Sequence, residues 1–168
     1  MERVSTVSEG DKLKFMREAL KEAEKARALR EVPIGAVIVY QGEVIGRGHN
    51  LRETTQDATT HAEMAAIQQA CQNLANWRLE DCQLFVTLEP CPMCGGALIL
   101  SRVAEVYYGA TDPKAGAAGT LLNLLEDSRF NHQAYVEAGI LASECGNILT
   151  TFFKELRAEK KRLKLEGD

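Results

Sequence analysis

The chain has 168 residues, of which 45% are hydrophobic and 26% are charged, a balance typical of one globular domain with a full core. The formal net charge of −4 excludes a protein that coats nucleic acid through bulk positive charge. No apolar run reaches the about 18 residues of a membrane-spanning helix, and residues 1–11 lack the apolar core of a signal peptide. We therefore expect a single domain over residues 1–168 that is cytoplasmic and has no membrane contact.

Hydrophobic periodicity predicts strands that alternate with helices after an initial hairpin. The predicted elements, in chain order, are a helix over 11–30, hairpin strands over 35–40 and 44–49, a polar loop over 52–60, a helix over 61–73, a strand over 84–88, a helix over 91–100, a strand over 103–108, a glycine-rich loop over 109–119, a short helix over 121–126, a weak strand over 136–140 and a long helix over 143–165. Thr59 or Thr60 is expected to cap the second helix. This order predicts an α/β sheet flanked by helices, with its site where strands end and helices begin.

A candidate metal site combines His61 with two cysteines that follow Pro90. One imidazole and the two thiolates of Cys91 and Cys94 are ligands that Zn²⁺ prefers, and they leave a fourth position for water, as in a catalytic site. Two thiolates balance the dication, so bound water can lose its proton near neutral pH. Glu63 is well placed to receive that proton, and we expect it to be catalytic rather than a ligand.

The cysteine pair taken alone has other interpretations. A Cys-x-x-Cys pair also occurs as a redox pair, as half of a structural zinc site or as two small buried residues. The upstream His-x-Glu and the proline before the first cysteine favour catalytic zinc, because H-x-E…P-C-x-x-C is the signature of zinc deaminases. Cys71, Cys82 and Cys145 are expected to be small core residues without disulfides.

The glycine-rich loop over 109–119 raises the question of a phosphate-binding loop. Its sequence matches neither G-x-G-x-x-G after a strand nor G-x-x-x-x-G-K-[ST]. We therefore expect no nucleotide cofactor, and the favoured structure for this loop is a surface turn.

Three segments together resemble the bacterial tRNA-specific adenosine deaminases: His-Ala-Glu at 61–63, Thr-Leu-Glu-Pro-Cys-Pro-Met-Cys-Gly-Gly-Ala at 87–97, and Gly-Ala-Thr-Asp-Pro-Lys-Ala-Gly-Ala-Ala-Gly at 109–119. The similarity extends from the first predicted helix to the last. It implies a cytidine-deaminase-like fold with three layers, α/β/α, around a mixed sheet of about five strands. It also implies a homodimer, one Zn²⁺ per subunit, and hydrolysis of adenosine to inosine at the wobble position of a tRNA anticodon.

The zinc motif alone does not select this substrate, because closely similar motifs serve cytosine, guanine, deoxycytidylate and pterin-like deaminases. A small-molecule nucleobase or nucleotide deaminase is therefore the alternative, and a zinc-binding module without enzymatic activity is a remote one. The weight of the resemblance to the tRNA enzymes rests on residues 31–36, 48–50 and 112–119.

The same resemblance implies a set of substrate-binding residues. Asn50 would hydrogen-bond the flipped nucleoside, Ile34 would pack on its base, and Ala62 would contribute a backbone group. Asp112 would belong to the loop that contacts RNA. From spacing alone, Asn50, Ile34 and Ala62 are equally explained as a strand-end turn residue, a core aliphatic residue and a helix-start spacer.

The last predicted helix ends in a positively charged stretch, with six cations against four anions between residues 154 and 168. This stretch is either a local RNA contact or a solvated helix end whose cations suit the helix dipole. Of Phe152 and Phe153, we expect one to pack inward and the other to offer its ring to an unstacked base. By resemblance, Phe153 and Arg157 contact the anticodon arm of tRNA.

Overall fold

The computed structural model describes residues 2–167, so Met1 and Asp168, the two ends of the predicted domain, lie outside the described residues. The elements within this range are α1 (Glu9–Ala28), β1 (Gly35–Tyr40), β2 (Glu43–His49), α2 (Arg52–Thr55), α3 (Ala62–Leu74), β3 (Cys82–Leu88), α4 (Pro92–Leu100), β4 (Glu105–Ala110), β5 (Tyr135–Ala138) and α5 (Ala142–Glu166).

The strands form one mixed sheet in the order β2-β1-β3-β4-β5. Strand β1 is antiparallel to both β2 and β3, whereas β3, β4 and β5 run parallel to one another. Parallel neighbours need a crossover connection, which is usually helical. Helix α4 connects β3 to β4 in this way, but the β4–β5 crossover, residues 111–134, contains no helix.

Helices cover both faces of the sheet. Side chains alternate along β1, so Ala36 and Ile38 pack with side chains of α3 and α4, while Val37 and Val39 pack with side chains of α1 and α5. Each face therefore has its own hydrophobic core. This arrangement confirms the predicted three-layer α/β/α fold with a mixed sheet of five strands.

Helix α3 lies directly on strand β2, and glycine makes this close approach possible. A Cβ atom on Gly48 would lie 2.1 Å from the carbonyl oxygen of Ala62, which is far inside van der Waals contact. The missing side chain lets the first turn of α3 settle against the sheet. That turn carries the residues of the predicted site.

The prediction of a loop over 52–60 is partly wrong, because Arg52–Thr55 forms one helical turn, α2. The buried carboxylate of Glu31 accepts hydrogen bonds from the N–H groups of Glu53 and Thr54 at 3.0 and 2.8 Å. A carboxylate at a helix start satisfies N–H groups that have no partner within the helix. The turn therefore depends on a residue from a different part of the chain.

The predicted cap of α3 is also wrong. His61 is the N-cap residue of α3, and the backbone N–H and the hydroxyl of Thr59 instead donate to Asp57 at 2.8 and 2.7 Å. Thr60 accepts a hydrogen bond from the hydroxyl of Thr55 at 3.0 Å. The side chains of Thr59 and Thr60 therefore make hydrogen bonds within the polar loop, and neither caps α3.

The short helix predicted over 121–126 does not form. Residues Ala118 and Asn123 make an isolated β-bridge, and the N–H of Leu124 donates to the carbonyl of Ala117 at 3.0 Å. The apolar run has another purpose, because Leu125 is fully buried in the core beside α4.

Within residues 2–167, no helix is both long enough and apolar enough to cross a membrane.

Candidate active site

Two helix starts bring the predicted metal ligands together. His61 is the N-cap residue of α3 and Cys91 is the N-cap residue of α4, and neither side chain forms a capping hydrogen bond. Pro92 follows in the first turn of α4, where its lack of an N–H has no cost. Cys94 comes one turn from Cys91, so both sulfur atoms face the imidazole of His61.

The three ligand atoms have the spacing that zinc requires. The Nδ1 atom of His61 lies 3.5 Å from the Sγ atom of Cys91 and 3.5 Å from that of Cys94, and all three atoms lie within 4.8 Å of one another. A tetrahedral ion with Zn–S of about 2.3 Å and Zn–N of about 2.0–2.1 Å places nitrogen and sulfur about 3.5 Å apart. The donor set and its geometry therefore fit a zinc ion.

Protonation within this group also favours metal binding. Hydrogen bonds from Cys94 and then from His61 lower the pKa of Cys91 to about 4, although burial opposes the shift. The hydrogen bond to Cys91 raises the pKa of His61. A hydrogen bond to Cys91, followed by burial, also raises the pKa of Cys94. One thiolate therefore exists at neutral pH, and a bound dication would displace the protons held by Cys94 and His61.

Glu63 is buried two residues after the imidazole ligand. Burial, assisted by the nearby charge of Cys91, raises its pKa to about 7. A carboxyl group with a pKa near neutrality can both accept and donate a proton at pH 7. These are the properties of a general acid–base group next to a metal.

The group opens into a pocket of about 430 Å³, which lies within the range of small-ligand sites. The lining residues come from the segments before β1 and after β2, the end of β3, both helix starts, the β4–β5 crossover and α5: Val32, Ile34, Asn50, Arg52, His61, Ala62, Glu63, Leu88, Glu89, Cys91, Thr111, Asp112, Pro113, Lys114, Ala115, Leu149 and Phe153. Two cations, Arg52 and Lys114, and three carboxyl groups, Glu63, Glu89 and Asp112, line this pocket.

Comparisons with known proteins agree with this site. A family model described as MafB19-like deaminase matches residues 10–157. A tRNA-specific adenosine deaminase of Bacillus subtilis (strain 168) is 60% identical over 147 residues, which are 88% of this chain and 91% of the relative. The chain belongs to the tRNA-specific adenosine deaminase family.

Two further proteins support membership of this family. A tRNA-specific adenosine deaminase of Haemophilus influenzae is 44% identical over 162 residues, or 96% of this chain and 93% of the relative. A solved structure from studies of A-to-I editing by tRNA:A34 deaminases at the wobble position of transfer RNA superposes with a TM-score of 0.78 and 43% identity. The match covers 81% of this chain and 99% of that one.

The structure brings Ile34, Asn50, Ala62 and Asp112 together in the deaminase-family pocket, as the resemblance implied. The side chain of Asn50 also closes a turn, because its amide donates to the carbonyl of Val32 at 3.2 Å and its oxygen accepts from the N–H of Arg52 at 3.1 Å. An amide nitrogen carries two hydrogens, and the bond to Val32 uses one of them.

Ala62 is the first residue of α3, where a backbone N–H has no partner within the helix. Asp112 holds a turn of the pocket wall, since its Oδ1 accepts from the N–H groups of Lys114 and Ala115 at 2.9 and 3.2 Å. Both residues line the pocket.

Helix α5 contributes an aromatic ring to the pocket. Phe153 lines the pocket and is 40% exposed, whereas Phe152 is 8% exposed and packs edge-on against it with ring centroids 5.4 Å apart. The predicted division between an inward and an outward ring is confirmed. Arg157 lies one turn further along α5, exposed and outside the pocket lining.

Sequence reasoning missed three features of this site. Leu149 lines the pocket one turn before Phe153, and it could have been found from its i, i+4 spacing. Glu89 is a buried carboxylate directly before the Pro-Cys motif, and its position at the end of an apolar strand was the available signal. The surface turn predicted for 109–119 is only partly correct, because residues 113–115 form a turn but residues 116–118 are buried.

Proposed function

We propose that this chain deaminates adenosine to inosine hydrolytically at the wobble position of a tRNA anticodon, as a zinc-dependent enzyme built from one domain. The observation that carries the proposal is the convergence, in one pocket, of the His61, Cys91 and Cys94 triad with a buried carboxyl at Glu63 whose pKa is about 7. Membership of the tRNA-specific adenosine deaminase family supports tRNA as the substrate.

His61, Cys91 and Cys94 would hold one Zn²⁺ per subunit. When bound, zinc supplies Lewis acidity that lets water act as a nucleophile near neutral pH. The residues themselves contribute charge balance, since two thiolates and one neutral imidazole cancel the dication. The fit of their spacing to tetrahedral zinc supports this choice of metal.

Glu63 would move the proton that the reaction requires. Its carboxylate takes a proton from the attacking water and delivers it to N1 of adenine while C6 is attacked. Glu63 would then take the second proton of the former water from the C6 hydroxyl and deliver it to the exocyclic nitrogen, so that the C6–N bond breaks and ammonia leaves while N1 keeps its hydrogen. Adenosine and water thus become inosine and ammonia, and Glu63 returns to its starting state.

The remaining pocket residues would hold the flipped nucleoside. The free N–H of Asn50 would hydrogen-bond it, Ile34 would pack against the base, and the backbone N–H of Ala62 would contact the base edge. Asp112 would contact the RNA from the opposite wall. A base that reacts at its edge must leave the stack, and a pocket of about 430 Å³ supports this arrangement.

The anticodon arm would lie across α5 and the pocket entrance. Single-stranded RNA is bound through aromatic stacking and phosphate contacts, and the half-exposed ring of Phe153 offers a stacking surface. Arg157 would then contact a phosphate. Arg52 and Lys114, which line the pocket, would supply cations for further phosphate contacts.

We further propose that the chain is a homodimer and acts in the cytoplasm, where its tRNA substrate is found. Leu100, Leu121 and Leu122 are 71%, 58% and 50% exposed, and exposed apolar side chains of this size support a protein contact. Sedimentation equilibrium of the purified chain would measure the mass, and a concentration-independent monomer would contradict the dimer.

One assay separates this function from its alternatives. Ammonia release would be measured with tRNA and with free cytosine, guanine, adenosine and deoxycytidylate, with inosine in the tRNA identified by mass spectrometry. We expect turnover of tRNA only. Efficient turnover of a free base or nucleotide would favour a small-molecule deaminase, and metal binding without ammonia release would favour a non-enzymatic zinc module.

A further inference from the structure

Glu89 is a buried acidic residue for which the chemistry has no use. It follows β3 directly and comes two residues before Cys91, and its side chain is only 2% exposed. Its N–H donates to the carbonyl of Ala110 at 2.9 Å, which continues the pairing between β3 and β4. The carboxylate is thereby fixed at the carboxyl end of the parallel strands.

All four hydrogen bonds to this carboxylate come from the β4–β5 crossover. Oε1 accepts from the N–H of Asp112 at 3.1 Å and from the hydroxyl of Thr120. Oε2 accepts from the N–H groups of Ala118 and Thr120, both at 3.1 Å. An ionised carboxylate is an acceptor only, with about four lone-pair sites. Donors from this one loop therefore occupy all of its acceptor sites.

The loop is shaped to receive this carboxylate. A Cβ atom on Gly116 would lie 2.4 Å from Oε2 of Glu89, so only glycine lets the backbone come this close. The N–H of Ala117 adds a bond to the carbonyl of Pro90 at 2.8 Å. The loop therefore encloses the Glu89 side chain instead of passing over it.

This loop needs an external anchor because no helix or strand within it fixes its position. Glu89 holds the loop at Asp112 and again at Ala118 and Thr120. Residues 111–115, next to the first anchor, form one wall of the pocket. The distance from this wall to the metal ligands thus depends on the Glu89 carboxylate.

We propose that Glu89 is a positioning residue: its carboxylate fixes residues 112–120 so that the pocket wall meets the RNA around the reacting adenosine. The inference rests on the proposed function. Glu89 acts on substrate affinity through the loop, and its carboxylate makes no hydrogen bond to the metal ligands or to Glu63. A purely structural role would instead change stability and leave substrate affinity as it is.

The test is Glu89→Gln, which keeps the size of the side chain but replaces one carboxylate oxygen with an NH₂ group that faces at least one N–H donor. We expect kcat/KM for tRNA to fall by about 10- to 100-fold, as for a small displacement of a binding group. Most of the loss should be in KM, with zinc content unchanged. Amide hydrogen exchange of residues 112–120 should become faster than in the wild type.

Glu105→Gln is the matched control. Glu105 is 3% exposed and likewise accepts from the N–H and hydroxyl of one threonine, Thr6, at 2.7 and 2.6 Å, but at the other end of β4. This variant should lose thermal stability and keep the wild-type KM. The same kinetics for Glu89→Gln as for Glu105→Gln, or loss of zinc in Glu89→Gln, would overturn the positioning role.

Thr120→Val is a milder variant for the case in which Glu89→Gln does not fold. It keeps the shape of an exposed side chain and removes one donor to the Glu89 carboxylate. We expect KM to rise by about 3- to 10-fold, the effect of one hydrogen bond. An unchanged KM and unchanged exchange of residues 112–120 would reject the proposal.

The wild-type assay separates this proposal from the function on which it rests. If the wild type does not deaminate tRNA, the proposed function fails and the assignment of this wall to RNA fails with it. If the wild type is active and only the variants behave unexpectedly, the role of Glu89 alone is wrong.

Discussion

The two ends of the parallel strands β3 and β4 use buried glutamates for different purposes. At the carboxyl end, Glu89 holds a loop that borders an open pocket. At the amino end, Glu105 holds the segment before α1 through a hydrogen bond from the N–H of Thr6. The hydroxyl of Tyr107 donates to Glu105 at 2.7 Å and lies 2.6 Å from the hydroxyl of Ser5. A buried carboxylate therefore indicates only that it fixes the position of a backbone segment. It affects function when that segment borders the pocket.

The ionisable groups at the two ends differ in the same way. Burial, followed by the nearby Glu105, raises the pKa of Tyr107 far above its ordinary value, so its hydroxyl stays protonated and inert. Burial raises the pKa of Glu63 only to about 7, where proton transfer works best at neutral pH. Burial therefore keeps the Tyr107 hydroxyl protonated, whereas it brings the pKa of Glu63 close to neutral pH.

The largest effect should come from the metal ligands. Cys91→Ser, Cys94→Ser and His61→Ala should each lose zinc and activity together, because a hydroxyl is a far poorer zinc ligand than a thiolate. Elemental analysis and tRNA assays would measure both. Cys82→Ser and Cys145→Ser, which alter buried thiols outside the site, should keep both, and loss of zinc in Cys145→Ser would contradict the three-ligand site.

Glu63→Gln should retain zinc and lose activity by about 10²- to 10⁴-fold, the usual contribution of general acid–base help. The amide cannot shuttle a proton, and it has nearly the same size as the carboxyl. Zinc per subunit and single-turnover rates would be measured on the same sample. A variant that loses its zinc would make Glu63 a ligand and remove the proton shuttle from the mechanism.

Phe153→Ala should raise KM for tRNA by about 5- to 150-fold, since one stacked base contributes about 1–3 kcal/mol. Its melting temperature should change little, because the ring is half exposed. The neighbouring Phe152→Leu is the control, and it should cost about 1 kcal/mol of stability with KM unchanged. Equal KM values for both variants would place the RNA away from α5.

Arg157→Ala should weaken tRNA binding modestly and reduce the slope of log K against log salt by about one phosphate contact's worth. Titrations at several salt concentrations would give this slope. Arg129→Ala is the comparison, because its guanidinium is already paired with Asp127 at 2.6 Å. A slope that changes equally in both variants would reflect overall charge and not a contact.

The smallest kinetic effect belongs to the amino end of the sheet. Glu105→Gln should leave tRNA kinetics unchanged while it lowers the free energy of unfolding by about 1–3 kcal/mol, because buried donors lose their acceptor. A double-mutant cycle with Thr6→Val, read from denaturant unfolding, should give a coupling of about 0.5–3 kcal/mol. Altered kcat or KM in Glu105→Gln would end the functional distinction between the two ends.

The sequence predicted the parts of this protein that depend on local pattern. Periodicity located the main helices and strands, and ligand chemistry singled out His61, Cys91 and Cys94, which the structure brings into one group, because helix starts and ligand motifs are properties of short segments. The tRNA substrate came from resemblance and not from the residues themselves.

The parts that were missed depend on contacts between distant segments. Helix α2 forms because Glu31 lies beside it, and the crossover is ordered because Glu89 lies beneath it. Neither partner can be read from the polar or glycine-rich sequence that it orders. The apolar run at 121–126 was assigned to a helix for the same reason, since only tertiary packing reveals that Leu125 enters the core.

The β4–β5 crossover has one more consequence, for how this fold can change during evolution. Because the connection between β4 and β5 is a loop without a helix, its exposed parts, apart from the residues that enclose Glu89 and the buried Leu125, can vary in length and sequence while strand pairing and the metal ligands stay in place. New substrates can then be acquired by rebuilding one segment, with its anchor at Glu89 retained and the proton chemistry inherited unchanged.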